Sequence, residues 1–227
     1  MGHAIVSGGA RASVPSSGIM LRDIAEGSLV KLNENGSPVE FYVAKHDYES
    51  SLNGAGRTLL VRKNIYDNRI WDADSSNYAS SDIDIWLNGY YKNLLDSSVK
   101  TAIGTTNFYY SPNYGSSTVT TLGRSVFLLS LTELSGSGSS YSNTEGSILP
   151  ISDALKIAYY GGSAYEQWTR TPAVHLTTVN YYIYICTDQG HGYTVSRNSN
   201  RVGSRPCFTL PSESVFDQNT LVLKGVA

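Results

Sequence analysis

The chain has 227 residues, of which 41% are hydrophobic and 16% charged, and a formal net charge of −2. That length suits one large domain with a real core, while the lack of a basic excess disfavours a nucleic-acid partner. No apolar run approaches the roughly 20 residues of a membrane-spanning helix, so no membrane insertion is expected, and two cysteines, Cys186 and Cys207, allow one bridge at most.

In chain order, residues 1–26 are small and polar and read as an N-terminal arm, with residues 27–227 as a single domain. Residues 1–17 lack the charged-then-apolar layout of a secretion signal, which implies synthesis in the cytoplasm without a signal peptide. Residues 27–48 read as a hairpin: Leu29 to Leu32 and Val39 to Val43 flank an Asn35-Gly36 turn signal. Residues 57–61 form a third strand, and residues 71–81 read as a polar loop. A helix begins at Ser81 or Asp82, either of which can cap it, and Ile83, Trp86, Leu87, Tyr90 and Leu94 give it an apolar stripe. A short helix from Ser97 or Ser98 to Ile103 follows, then a strand over 105–110 and a short buried one over 126–129. Ser130-Leu131-Thr132-Glu133 matches a capping box. Residues 135–147 are rich in Gly and Ser and read as a surface loop, residues 152–160 as a short helix, and the chain from Trp168 onward as extended.

Several pieces, in order, resemble a bacterial and phage family of unknown-function domains with a C-type-lectin-like fold, related in fold to formylglycine-generating enzymes. They are Gly27 to Leu32 with Phe41 to Val43; Ile85-Trp86-Leu87-Asn88; Val126 to Ser130 with Glu133; Trp168-Thr169-Arg170-Thr171-Pro172; and Gly203 to Phe208 with Leu210-Pro211-Ser212. The resemblance implies an α+β fold, mixed and irregular, with short antiparallel strands, a few helices and much loop. Similar proteins are phage tail-associated, and some are variable proteins of diversity-generating retroelements, which randomise adenines near the 3′ end of a gene. The implied role is non-catalytic binding of a protein or glycan on a target cell surface, from a virion tail or a bacterial surface. Homo-oligomerisation or tail assembly through the N-terminal arm is a further implied partnership. A structural tail or baseplate subunit is the alternative.

The window from Ala173 to Asn200 suits such a variable region. Adenine substitution in an Asn codon cannot yield Lys, Glu, Gln, Met or Trp, and Gln189 is the single residue of that set in the window. Strand alternation from Asn180 to Cys186 places Ile183 and Ile185 on one face and Asn180, Tyr182, Tyr184 and Cys186 on the other. Asp188-Gln189-Gly190 reads as a turn, residues 191–196 as the returning strand, and Asn198-Ser199-Asn200 as a loop. The expected ligand-binding residues are Asn180, Tyr181, Tyr182, Tyr184, Asp188, His191, Tyr193, Asn198 and Asn200. With 17 Tyr against 5 Phe, aromatic area comes mostly with a hydroxyl attached, as in antibody paratopes. Cross-strand packing is the other reading of Tyr182 and Tyr184. Trp168, Arg170, Arg205 and Pro206 read as scaffold: Trp168 fills the core, and an Arg ties loops through carbonyls or a carboxylate.

Catalysis is not expected. His3, His46, His175 and His191 lack metal-ligand spacing, and there is no Gly-x-Ser-x-Gly elbow or phosphate-cradling loop. The pairs Asp72/Asp74 and Asp82/Asp84 come without a full Ca²⁺ loop and read as loop or helix-start acids. A copper-dependent oxidase using Cys186 and Cys207 is a distant alternative resting on fold analogy. No cofactor or metal is expected.

Overall fold

The computed structural model describes residues 17–112, 116–135, 142–173 and 182–226. Strand β1 (Gly18–Met20) pairs antiparallel with residues 215–217, near the other end of the chain, and Leu21 and Ile24 behind it are buried. Of the arm expected over residues 1–26, residues 18–24 are therefore part of the fold, and residues 1–16 lie outside the described residues.

Strands β2 (Leu29–Glu34) and β3 (Ser37–Lys45) form the expected hairpin. Asn35 and Gly36 take φ of 52° and 75°, the two-residue turn whose twist matches that of its strands. Strand β2 alternates half-buried and buried residues, so Val30 and Leu32 enter the core. A short helix α1 (Ser50–Asn53) leads to β4 (Arg57–Arg62), which pairs with β3, and β5 (Asp67–Asn68) follows.

Helix α2 (Asp82–Trp86) starts where the sequence places it, with the Ser81 hydroxyl accepting the Asp84 N–H at 3.3 Å. It continues as a π-helical turn over Leu87–Tyr91 and one last turn, α3 (Lys92–Leu94). The π turn corrects the expected stripe. Its extra residue rotates the chain, so Tyr91 is fully buried while Tyr90 is 58% exposed.

Helix α4 (Ser97–Ile103) precedes the hairpin β6 (Thr106–Tyr110) and β7 (Thr120–Arg124). Residues 126–129 are buried as expected, but only Phe127 forms a bridge, to Cys207. Helices α5 (Leu131–Ser135) and α6 (Ser152–Lys156) pack together. The helix expected over 152–160 stops at Lys156, because residues 158–165 form a tight hairpin, β8 (Ala158–Tyr160) and β9 (Ser163–Tyr165), turning on Gly161 and Gly162 at positive φ. Residues 136–141 of the expected surface loop lie outside the described residues.

The remaining described residues run mainly through strands: β10 (Gln167–Pro172), β11 (Tyr182–Cys186), β12 (Gly192–Ser196), β13 (Gly203–Ser204), β14 (Cys207–Pro211), β15 (Val215–Asp217) and β16 (Leu223–Gly225). Two main sheets result, ordered β14-β4-β3-β2 and β12-β11-β10-β13-β5, with the strip β1-β15-β16 tying the chain ends. One large buried cluster draws on both main sheets and on helices α2 and α4. The fold is α+β, with strands outnumbering helices among the described residues.

Candidate functional site

Strand β10 carries the Trp168-x-Arg170-x-Pro172 motif and is buried at every position. The Trp168 indole N–H donates to the Arg69 carbonyl at 2.8 Å, and the ring is 1% exposed. Arg170 is fully buried. Its Nε donates to the Tyr109 carbonyl, and Nη1 donates to the Leu128 carbonyl and to Glu133 Oε2, each at 2.8–2.9 Å; Nη2 has no hydrogen-bond partner among the described residues.

Glu133 is held from two sides. The capping box is complete: the Ser130 N–H donates to Glu133 Oε2 (2.8 Å) and the Glu133 N–H to Ser130 Oγ (3.1 Å). The Tyr48 hydroxyl donates to Glu133 Oε1. A second buried carboxylate, Glu145, lies 4.0 Å from Arg170 and accepts from Thr171 Oγ1 (2.7 Å) and the Ser111 N–H (2.8 Å). Burial raises the Glu145 carboxyl above the usual carboxylate range, against the pull of Arg170, Thr171 and Ser111. Burial, and then Glu133, lift the Tyr48 hydroxyl well above its ordinary value. For Arg170, burial works against the charge, but Glu133, Tyr48 and Glu145 outweigh it and hold the guanidinium protonated. These groups have no exposed surface to offer a substrate. They join β10, α1's approach, α5 and the 142–147 segment.

Arg205 plays the same part with carbonyls. Its donors reach Arg62 O (2.7 Å), Lys63 O (2.8 Å) and Leu155 O (2.6 Å), with Gln167 Oε1 at 3.3 Å. Burial without a carboxylate partner lowers it to about 10. Pro206 is buried beside it and offers its carbonyl to the Arg62 N–H. Trp168, Arg170, Arg205 and Pro206, the four residues read as scaffold, are thus all buried, and both arginines donate to backbone carbonyls.

Beyond β10 lies the β11–β12 ribbon. It is joined through Asp188-Gln189-Gly190, where Gly190 takes φ of 81° and the Thr187 N–H donates to His191 O at 2.8 Å. Ile183 and Ile185 are fully buried, as alternation requires. The opposite face corrects the expectation. Tyr184 is 4% exposed, packed with Leu131 and Ala173, and Cys186 is 2% exposed with its thiol on the Lys156 carbonyl. Leu131 of α5 covers that face, so close that a Cβ at Gly192 would lie 2.9 Å from it. A central strand flanked by β10 and β12 is buried on both sides, and alternation alone does not reveal the second cover.

The exposed expected residues are Tyr182, Asp188, His191, Tyr193, Asn198 and Asn200. They do not share one face. Tyr193 stands opposite Ile185 and Tyr182 opposite Ser196, so the two tyrosines lie on opposite faces of the ribbon. Tyr182 groups with Ser196 and Asn198, whose side chains bond at 2.6 Å. Asp188, His191 and Tyr193 gather at the turn end. Asn180 and Tyr181 lie outside the described residues.

Sequence reading missed Arg197, which is buried and donates to the Ala73 carbonyl at 3.0 Å. It pins the 198–200 loop beside the acidic loop that begins at Asp72. There Asp72 takes the N–H groups of Asp74, Ser75 and Asp82, and Asp82 accepts from the Ala73 N–H. Both acids bind backbone, in keeping with loop and helix-start roles. Also missed was a cleft of about 520 Å³ lined by Arg62, Lys63, Asn64, Ile65 and the Tyr159 to Gly162 turn. No spacing rule links residues a hundred positions apart.

Residues 55–212 match a family described as a domain of unknown function (DUF6273). The match takes in β10, the β11–β12 ribbon and both scaffold arginines. No curated protein and no solved structure matches the chain.

Proposed function

The chain belongs to the DUF6273 family, and from that footing we propose that it is a non-catalytic ligand-binding protein of C-type-lectin-like fold, carried on a phage tail or a bacterial surface. Its binding face is the β11–β12 ribbon with the adjoining loops, and its ligand is a protein or glycan on a target cell. One observation carries the reading: a buried frame, locked by Arg170 and Arg205, stands alongside a ribbon that exposes Tyr182, Asp188, His191, Tyr193, Asn198 and Asn200. Tyr gives rigid amphipathic area and Asn gives adaptable hydrogen bonds, while the frame keeps the ribbon's position independent of its exposed residues.

The same separation suits variation by a diversity-generating retroelement, since exposed ribbon positions can change without disturbing the frame. Oxidase chemistry at the cysteines has little support. Cys186 and Cys207 donate to different carbonyls, those of Lys156 and Phe127, and burial raises both thiols, Cys186 to about 11. No helix among the described residues is long and apolar enough to cross a membrane.

Natural siblings of this chain provide the test. Siblings are expected to differ at Asn-type codons between Ala173 and Asn200, and fluorescently labelled siblings to bind different bacterial strains in a whole-cell assay. Siblings that differ in this window yet bind the same strains equally would overturn the ribbon as the binding face. Substitutions scattered through the frame would remove the diversification mechanism.

A further inference from the structure

A second surface, made from other elements, has the chemistry of a ligand site of its own. It starts at the π turn, a geometry uncommon in helices and frequent at functional sites. The turn sends the Tyr91 hydroxyl inward to Glu34 (2.7 Å) and leaves Tyr90 on the surface. The Tyr90 ring lies nearly parallel to Trp86, 6.1 Å between centroids, and Trp86 in turn meets Tyr66 at 5.5 Å. Two residues after Tyr66, at the end of β5, Asn68 donates its amide N–H to the Tyr165 hydroxyl at 2.7 Å, and Tyr165 packs on Tyr160 at 5.4 Å. Tyr160 then forms part of the wall of the 520 Å³ cleft. That volume falls within the range of small-molecule sites.

The charges along this strip are closed among themselves. Arg69 pairs with Asp67 through two contacts of 3.0 and 2.6 Å and lies over the Trp86 ring at 3.4 Å. At the cleft, Arg62 pairs with Glu34 and Lys63 with Glu40. A charged ligand would have to break one of these pairs, so the strip favours a neutral one. The rings are Tyr and Trp, apolar across the face and polar at the rim. Their complement is a molecule with flat C–H faces and hydroxyl edges. A protein interface usually covers about 800 Å² per partner around an apolar centre; here the large exposed aliphatic of α2 is Ile85 alone.

We propose that the two exposed ends of this strip, the Tyr90 ring and the Tyr160 cleft, bind a neutral pyranose glycan by stacking sugar rings on Tyr90 and Tyr160, while the middle rings, Trp86 under Arg69 and Tyr66 under Arg62, are already covered by cations. This does not depend on the β11–β12 ribbon being a binding face.

Trp71 and Trp168 are buried and Trp86 is half-buried, so acrylamide quenching of intrinsic fluorescence reports on Trp86. The probes are cellohexaose, maltohexaose, laminarihexaose and chitohexaose, up to roughly 10 mM, above the ~1 mM of a weak site. At least one is expected to protect Trp86 saturably, and Tyr90→Ala and Tyr160→Ala each to weaken that protection by about tenfold. Tyr193→Ala, on the ribbon, should leave it unchanged. The proposal is overturned if no probe protects Trp86, if Tyr193→Ala weakens protection as much as Tyr160→Ala, or if polygalacturonate protects and the neutral probes do not.

Discussion

Strand β10 and the β11–β12 ribbon are neighbours in one sheet and are built on opposite terms. Along β10, the polar side chains are buried and tied: Thr169 to the Tyr184 carbonyl, Thr171 and Arg170 to carboxylates, Gln167 to the carbonyls of Leu155 and Lys156. On the ribbon, Tyr193 is 63% exposed and Asp188 and His191 stand in solvent. The lesson is that polarity alone does not mark a binding residue. The most polar stretch of the motif region is the most deeply buried part of the frame, and its polar groups specify geometry.

The contrast is broken most severely at Arg170. Arg170→Met would leave Glu133 and Glu145 buried without their cation. Removing one partner of a buried ion pair costs about 3–5 kcal/mol, because the charge left behind stays desolvated. Urea denaturation at neutral pH measures the loss. A cost under about 1 kcal/mol would mean that the carboxylates take up protons without penalty, and that the frame is not held by charge.

A smaller effect, with a definite sign, is expected at Asp84, which joins α2 to Arg124 of β7 at 2.7 Å. Burial raises its carboxyl from 3.8 to about 6, against the pull of Arg124. The folded state then holds this proton more tightly than the unfolded chain does. The resulting stabilisation is present below about pH 4 and is lost as pH rises through about 6. Relative to Asp84→Asn, the native chain should lose about 2–3 kcal/mol between those limits, read from urea midpoints across the range. A difference that does not vary with pH would show that Arg124 offsets the burial in full.

Much of the frame was legible in the sequence because its signals are local. Asn35-Gly36 dictates its own turn, Ser81 and Ser130 cap the helices that follow them, and the buried arginines announce themselves by their motif. The unread features depend on distant segments. The π turn, which exchanges Tyr90 for Tyr91, answers to a partner at Glu34. The pairing of β1 with β15 joins residues about two hundred positions apart, and the aromatic strip is assembled from three separate stretches. For the ribbon, the sequence located the turn and the core isoleucines but not the cover over Tyr184, because Leu131 lies far away along the chain.

That cover makes Tyr182 and Tyr184 the closest comparison in the molecule. They are two residues apart on one strand and point to the same face, yet Tyr182 is 36% exposed and Tyr184 is 4% exposed. Truncating Tyr184 to alanine opens a cavity against Leu131 and Ala173 that the packed α5 cannot refill. Tyr193→Ala removes a side chain that is largely in water and Tyr182→Ala one at the edge of that cover, and each should change stability by less than about 1 kcal/mol. Urea midpoints of the three variants decide the matter. If Tyr182→Ala costs as much as Tyr184→Ala, then Tyr182 is a packing residue of the frame, and the ribbon face reduces to the turn-end group around Tyr193 and His191.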